Sequence, residues 1–309
     1  MRGSIEIQPV IKQLREYTNG NYTVKIYEDG TKIRKNNKDY FDPEVPESLD
    51  VKITNKCDLL CAWCHECSTP YGKHCDPDTL LNKLSTLPRG VEIAIGGGNP
   101  FEHPDLSYIL ACLKHFGLIC NITFNERHFE QYSCLIQRFI DEKLIYGYGI
   151  SCNRSFSQNL HEIIHEHCSS DRACVIPHLI AGINTNRDIE RAITIYGKCL
   201  ILGFKQYGRG SAIYSSDYSI REQITATKEH LAKLLQMGIV SFDNLAIGQL
   251  DVKNHLTDKQ WSEMYMGDDG DYSIYYNAVK DYFKKNSIAS QNIKATDAVK
   301  AFKNIGTIK

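Results

Sequence analysis

Cys57-Asp58-Leu59-Leu60-Cys61-Ala62-Trp63-Cys64 sets three cysteines at CxxxCxxC spacing, directly after Leu49-Asp50-Val51-Lys52-Ile53-Thr54. The earlier run reads as a strand and Asn55-Lys56 as the turn that leaves it. Three thiolates on one tight loop can bind three irons of a [4Fe–4S] cluster, which is normally held by four. No fourth cysteine has an obvious claim on the last iron, which stays open to an outside ligand, much as catalytic zinc keeps an open position. The competing reading is a structural zinc site. Zinc pairs one CxxC with a second pair of ligands, and His65, Cys67, His74 and Cys75 lie close by.

Working outward, residues 49–205 alternate strand and helix. Strands are expected at 49–54, 91–95, 118–124, 145–152, 174–183 and 200–204, with helices near 77–87, 104–116, 127–142, 156–168, 187–198 and 220–237. Six βα units in series imply a parallel sheet with right-handed crossovers, buried on both faces, and are too few for a closed eight-fold barrel. The expected fold is therefore α/β, a partial (β/α)6 barrel. Sites in such folds gather at the C-terminal ends of the strands, where the cysteine loop lies.

Before this core, Asn21–Tyr27 and Thr31–Arg34 alternate polar and apolar around Glu28-Asp29-Gly30, a hairpin signal. The expected division is 1–48 as an N-terminal hairpin extension and linker, 49–210 as the core, and 211–309 as a small C-terminal α+β extension that covers the substrate. In that last part Phe242–Ile247 reads as a strand and Asp258–Tyr265 as a short helix.

Composition narrows the class. A formal charge of −1 over 309 residues gives no electrostatic case for nucleic acid or an anionic membrane surface. The N-terminus lacks the apolar segment of a signal peptide, and no run approaches a membrane span. Twelve cysteines then point to a reducing cytoplasm. Cys112, Cys120, Cys134, Cys152 and Cys199 sit in apolar patterns and read mostly as small buried hydrophobes.

The cysteine loop, with the βα series behind it, resembles the radical S-adenosylmethionine (SAM) superfamily, in which SAM's amino and carboxyl groups fill the open iron site. Gly96-Gly97-Gly98-Asn99-Pro100 after the second strand matches the family's GGEP turn, which contacts the amino group of SAM, with Asn99 where the family often has Glu. Glycines there let backbone approach a ligand closely. The resemblance suggests Ser151, then Asn125, as ribose or carboxylate contacts, and Trp63 as the aromatic near adenine. Asn125, Ser151, Asn153 and Asn184 also suit helix caps and turns. No cysteine follows Cys199, so one cluster is expected and no auxiliary-cluster domain. In this the chain looks like uncharacterised radical SAM proteins of phages and Gram-positive bacteria. The resemblance implies reductive cleavage of SAM, an external one-electron donor such as flavodoxin or ferredoxin, and a substrate that is a small molecule, peptide, nucleotide or nucleic-acid base.

Glu66, Ser68, Lys73 and His74, in the long polar loop past the third cysteine, are candidates for substrate contact or proton transfer. Lys205 and Arg209, past the sixth strand, are candidates to pair with an acidic group of the substrate. One motif competes: His161-Glu162-Ile163-Ile164-His165 is a formal HExxH, which in zinc hydrolases sets two histidines one helical turn apart with the glutamate as base. Its place in the fourth helix, outside the sheet, favours an exposed His/Glu face instead, and only Glu166, His167 and Cys168 stand nearby as a third ligand.

Overall fold

The computed structural model describes residues 11–154, 156–171 and 174–307. Three strands open it, β1 (Gln13–Asn19), β2 (Tyr22–Tyr27) and β3 (Lys32–Lys35), paired antiparallel in the order β1-β2-β3. β2 and β3 are the arms of the expected hairpin, with Gly30 at φ 88° in its turn. β1 is an addition. Its sequence alternates poorly because only Tyr17 and Asn19 are buried along it and its register shifts between Gln13 and Arg15. Glu47 ties this sheet to the rest, accepting from the Tyr22 hydroxyl (2.6 Å) and from Arg34 (2.7 Å), while the Arg34 guanidinium lies 3.5 Å over the Tyr272 ring.

The core then runs β4 (Ser48–Thr54), α1 (Pro77–Leu84), β5 (Glu92–Gly97), α2 (Leu106–Phe116), β6 (Ile119–Asn125), α3 (Phe129–Asp141), β7 (Gly147–Ser151), α4 (Gln158–Asp171), β8 (Cys174–Ile180), α5 (Asn186–Tyr196) and β9 (Lys198–Leu202). After it come α6 (Arg209–Ser216), α7 (Tyr218–Met237), β10 (Ile239–Phe242), α8 (Asn244–Gln249), α9 (Asp258–Met264), β11 (Ser273–Asn277), β12 (Tyr282–Lys284) and α10 (Ala298–Gly306). Nine strands form one sheet in the order β10-β9-β8-β7-β6-β5-β4-β11-β12. All neighbours are parallel except β11 and β12. The sheet is open, with β10 and β12 at its edges, so the architecture is a partial α/β barrel with a hairpin-like N-terminal part.

Two expectations are corrected here. Residues 242–247 are not a strand. β10 stops at Phe242, and Asp243 caps α8 by accepting from the Ala246 amide at 2.8 Å. Nor is the sheet apolar on both faces. Leu49, Val51 and Ile53 of β4, Ile93 and Ile95 of β5, and Ile122 and Phe124 of β6 are buried in the main apolar core with the helices. The alternate positions, Asp50, Lys52, Gly96, Asn125, Ser151 and His178, line a cavity on the opposite face. Of the cysteines expected inside, Cys120, Cys152 and Cys199 are buried, Cys112 is partly buried, and Cys134 is exposed.

Candidate cofactor and substrate cavity

The cysteine loop closes on its own base. The Asn55 amide donates to Lys73 O (2.8 Å), Cys57 to Thr69 O (2.9 Å), Thr69 to Asn55 O (3.0 Å) and Cys75 to Ile53 O (2.8 Å). Within it the Cys64 amide donates to Cys61 O (3.1 Å), and Leu60 and Cys67 take left-handed backbone (φ 49° and 53°). Arg209 clamps the loop from outside: Nε donates to Cys61 O (2.9 Å) and Nη1 to Ser68 O (3.0 Å). Arg209 is thus engaged with the loop's own carbonyls. Its neighbour Gly208 (φ 58°) packs so closely that a Cβ there would stand 2.4 Å from His65 O.

Cys57, Cys61 and Cys64 are free, partly exposed thiols, and all three line a cavity of about 430 Å³. Burial pushes the Cys57 and Cys61 thiols up, reinforced by the other charges they would meet as thiolates, Asp58 and Cys61 for Cys57 and Cys64 for Cys61. Three such thiolates need a cation among them. Sulfurs on a single zinc would stand about 3.8 Å apart, from a Zn–S bond of about 2.3 Å. The three sulfurs here do not all lie within 4.8 Å of one another; among the described residues only Glu126, Cys152 and His161 offer a trio that tight. The donor set, three thiolates on one loop beside an open cavity, fits a multi-iron cluster.

The glycine turn abuts the same loop. Gly98 donates to Thr54 O (2.8 Å) and Asn99 to Lys56 O (2.7 Å), and a Cβ on Gly98 would stand 2.1 Å from Lys56 O. Gly97, at φ 120°, meets Thr54 O the same way at 2.5 Å. A Cβ on Gly96 meets nothing within 4 Å, because that residue faces the cavity. Asn99 does not line the cavity: its side chain, 1% exposed, caps the following 3₁₀ turn by accepting from the Phe101 amide (3.2 Å). Asn125, Ser151 and Trp63 all line the cavity, Trp63 also packing against the small apolar cluster of Ile183, Phe204 and Ile220. The Ser68 hydroxyl, 2% exposed, faces the cavity with no hydrogen-bond partner.

Further round the wall, Lys52 forms an ion pair with Glu66, whose other oxygen accepts from the Tyr275 hydroxyl at 2.8 Å. Burial alone would raise the Glu66 carboxyl. The positive charge that His65 carries when protonated, the Lys52 ammonium and the hydrogen bonds from Lys52 and Tyr275 outweigh it and hold the carboxyl below its usual range. Asp50, exposed to the cavity but hemmed in by protein, is pushed up by desolvation against the pull of Lys205, and burial drives His65 to about 3 and His178 to about 4, with Lys205 adding to both. Lys205 donates to Ser287 Oγ (3.1 Å).

Glu66, Ser68 and Lys205 therefore share one cavity with the three cysteines, the glycine turn, Asn125 and Ser151. Lys73 is exposed, and His74 sits with Nδ1 2.9 Å from Thr54 Oγ1; neither reaches the cavity. Sequence reasoning missed Asp50, Lys52 and His178 as cavity residues. Their signal was there, as single polar residues at every second position of apolar strands. The HExxH motif does not assemble as a zinc site. His161 is fully buried rather than on an exposed face, with Nε2 2.6 Å from Glu126 and Nδ1 2.9 Å from the Tyr196 hydroxyl. Glu162 is exposed and accepts from Gln158 (2.8 Å), and His165 packs edge-on to Tyr196.

No protein-family model matches the chain, and no curated protein does. Solved structures do. Streptococcus suis SuiB bound to the precursor peptide SuiA aligns over 93% of this chain and 86% of its own, with TM-score 0.61 and 10% identity. SuiB bound to S-adenosylmethionine aligns over 93% and 85%, with TM-score 0.59 and 11% identity. At such low identity the likeness is one of fold, and it extends over nearly the whole chain.

Proposed function

We propose that this chain is a radical SAM enzyme acting on a peptide. Cys57, Cys61 and Cys64 would hold one [4Fe–4S] cluster, and Gly96 to Gly98, Asn125 and Ser151 would hold S-adenosylmethionine beside it, with Trp63 against the adenine. One observation carries the reading: the three CxxxCxxC thiols, the glycine turn and the polar strand ends, far apart in sequence, line a single cavity. When bound and reduced by an external donor such as flavodoxin or ferredoxin, cluster and SAM together supply a 5′-deoxyadenosyl radical that abstracts hydrogen from the substrate.

The chain's own residues shape and close the site. Arg209 keeps the cysteine loop folded, and the Lys52–Glu66–Tyr275 group binds that loop to β11. Because β11 returns beside β4, residues 211–309 contribute Asp243, Tyr275 and Ser287 to the wall, which supports the substrate-covering role of this extension. A peptide suits the cavity wall around Lys205 better than a nucleotide does. Asp50 and Asp243 stand near Lys205 there, a poor setting for phosphates but one that offers both acceptors and a donor to amide groups. That SuiB binds a precursor peptide in the same fold supports this choice. Thiols kept free for iron suit the cytoplasm. Among the described residues no helix is long and apolar enough to cross a membrane.

The test is anaerobic reconstitution with iron and sulfide, followed by dithionite and SAM. About four irons per chain and release of 5′-deoxyadenosine are expected. A colourless protein holding one zinc at the cysteine loop would refute the assignment. Deuterium transfer from labelled peptides into 5′-deoxyadenosine then identifies the substrate.

A further inference from the structure

The buried histidine of the HExxH motif belongs to a chain of contacts that ends in the cavity. His161 Nε2 lies 2.6 Å from Glu126 Oε2, and Glu126 Oε1 accepts from the Asn153 amide at 2.7 Å. The side-chain amides of Asn153 and Asn125 exchange two hydrogen bonds of 3.1 Å each, and Asn125 lines the cavity. Asn184 joins from beyond β8, donating to Asn153 O at 2.9 Å. The loops after three consecutive strands, β6, β7 and β8, thus converge on one point. His161 is itself fixed, stacked on Phe156 (4.0 Å between ring centres, 8° between planes) and 2.9 Å from the Tyr196 hydroxyl. Glu126 is 3% exposed and His161 0%. A carboxylate that deep is costly unless it is paired and hydrogen-bonded, and the imidazole supplies the pairing.

We propose that His161 is a positioning residue for the cofactor pocket, acting through Glu126 and Asn153 to fix Asn125 in the cavity wall. The proposal rests on the reading of the cavity as a SAM site. It assigns the formal HExxH motif a purpose unrelated to hydrolysis: one histidine is used, from within the fold, and Glu162 is not. The alternative occupant of the same place is a metal ion, since Glu126, Cys152 and His161 have ligand atoms within 4.8 Å of one another. The contacts favour the metal-free network. Both Glu126 oxygens and both His161 nitrogens already have partners, and the Cys152 thiol donates to Ile150 O (3.6 Å).

The experiment compares SAM affinity, iron content and hydrogen exchange in reconstituted wild type, His161→Gln, Tyr196→Phe and Glu162→Ala. His161→Gln is expected to weaken SAM binding about tenfold, the scale of one well-placed hydrogen bond, and to speed exchange at the Asn153 amide. Iron content should hold, because the cysteine loop hangs on β4 and Arg209. Tyr196→Phe, a milder change suited to the case where His161→Gln does not fold, should shift affinity the same way by less. Glu162→Ala should change nothing. If His161 acts through Asn125, the His161→Gln and Asn125→Ala effects on affinity will be non-additive. Unchanged SAM affinity in folded His161→Gln and Tyr196→Phe overturns the proposal, as does additivity with Asn125→Ala. A stoichiometric zinc lost equally in Cys152→Ser and His161→Gln overturns it in favour of a metal site. A wild type that holds iron but does not bind SAM refutes the pocket assignment, and the proposal with it.

Discussion

Replacing Arg209 with alanine asks whether the protein holds the cysteine loop in shape before any iron arrives. The guanidinium donates to Cys61 O at 2.9 Å and Ser68 O at 3.0 Å. A hydrogen bond from a charged donor contributes about 1.5–3 kcal/mol net. Arg209 is only partly buried, so water weakens both bonds, and the pair together is placed at about 2–3 kcal/mol. The Arg209 amide still donates to Cys64 O (3.2 Å) after the substitution, so the loop loosens without coming free. A loss of that size raises the open population of the loop about 30- to 150-fold. Native-state hydrogen exchange on the metal-free protein reads this directly at the Cys57, Cys64 and Thr69 amides, all bonded to loop carbonyls. Arg209→Lys should fall between, because a lysine cannot reach two carbonyls with one planar fork. In the reconstituted protein the alanine variant should surrender iron to a chelator faster by a similar factor. Equal exchange at those three amides in wild type and Arg209→Ala would show that the clamp is a passive contact.

Two glycines two positions apart should respond oppositely. Gly98→Ala drives a Cβ to 2.1 Å from a backbone carbonyl and should destabilise the fold by about 2–4 kcal/mol in urea unfolding, whereas Gly96→Ala meets nothing and should leave stability unchanged while weakening SAM binding. Asn99→Ala should lower stability by about 0.5–2 kcal/mol through loss of its cap, with SAM affinity nearly unchanged; a large loss of affinity in a stable variant would assign Asn99 to the cofactor after all. His178 is depressed to about 4 by burial and then by Lys205, so the unfolded chain binds more protons than the folded one between about pH 6.5 and 4. Stability contributed by neutral His178 is therefore present above pH 6.5 and lost as pH falls towards 4. His178→Gln should lower the slope of that part of the urea-midpoint profile, leaving the share that His65, depressed to about 3, contributes, and an unchanged slope would remove His178 from the account.

What was legible in the sequence was whatever local chemistry encodes. Leu49-Asp50-Val51-Lys52-Ile53-Thr54 announces a strand and the cysteines after it a loop at the strand's C-terminal end, and both stand where parallel-sheet logic put them. Reading the strands as buried on both faces hid the inner face. The alternation in β4 itself argues against that reading, since Asp50 and Lys52 interrupt Leu49, Val51 and Ile53 at every second position. Likewise His161 and Ile164, both fully buried, and the intermediate Leu160 mark the inner stripe of α4, so the first histidine of HExxH had to face inward while Glu162 faced water. Asp243 is a cap signal that the apolar residues after it outweighed on paper and not in the fold. No local pattern, however, could place Tyr275 on Glu66, 209 residues away. That contact exists because β11 pairs in parallel with β4, Tyr275 opposite Asp50 and Asn277 opposite Lys52. Such pairing is decided by which sheet edge the chain meets on its return, a property of the assembled sheet. The part of the site nearest the cysteines was therefore readable from sequence, and the part that would select a substrate emerged only with the tertiary structure.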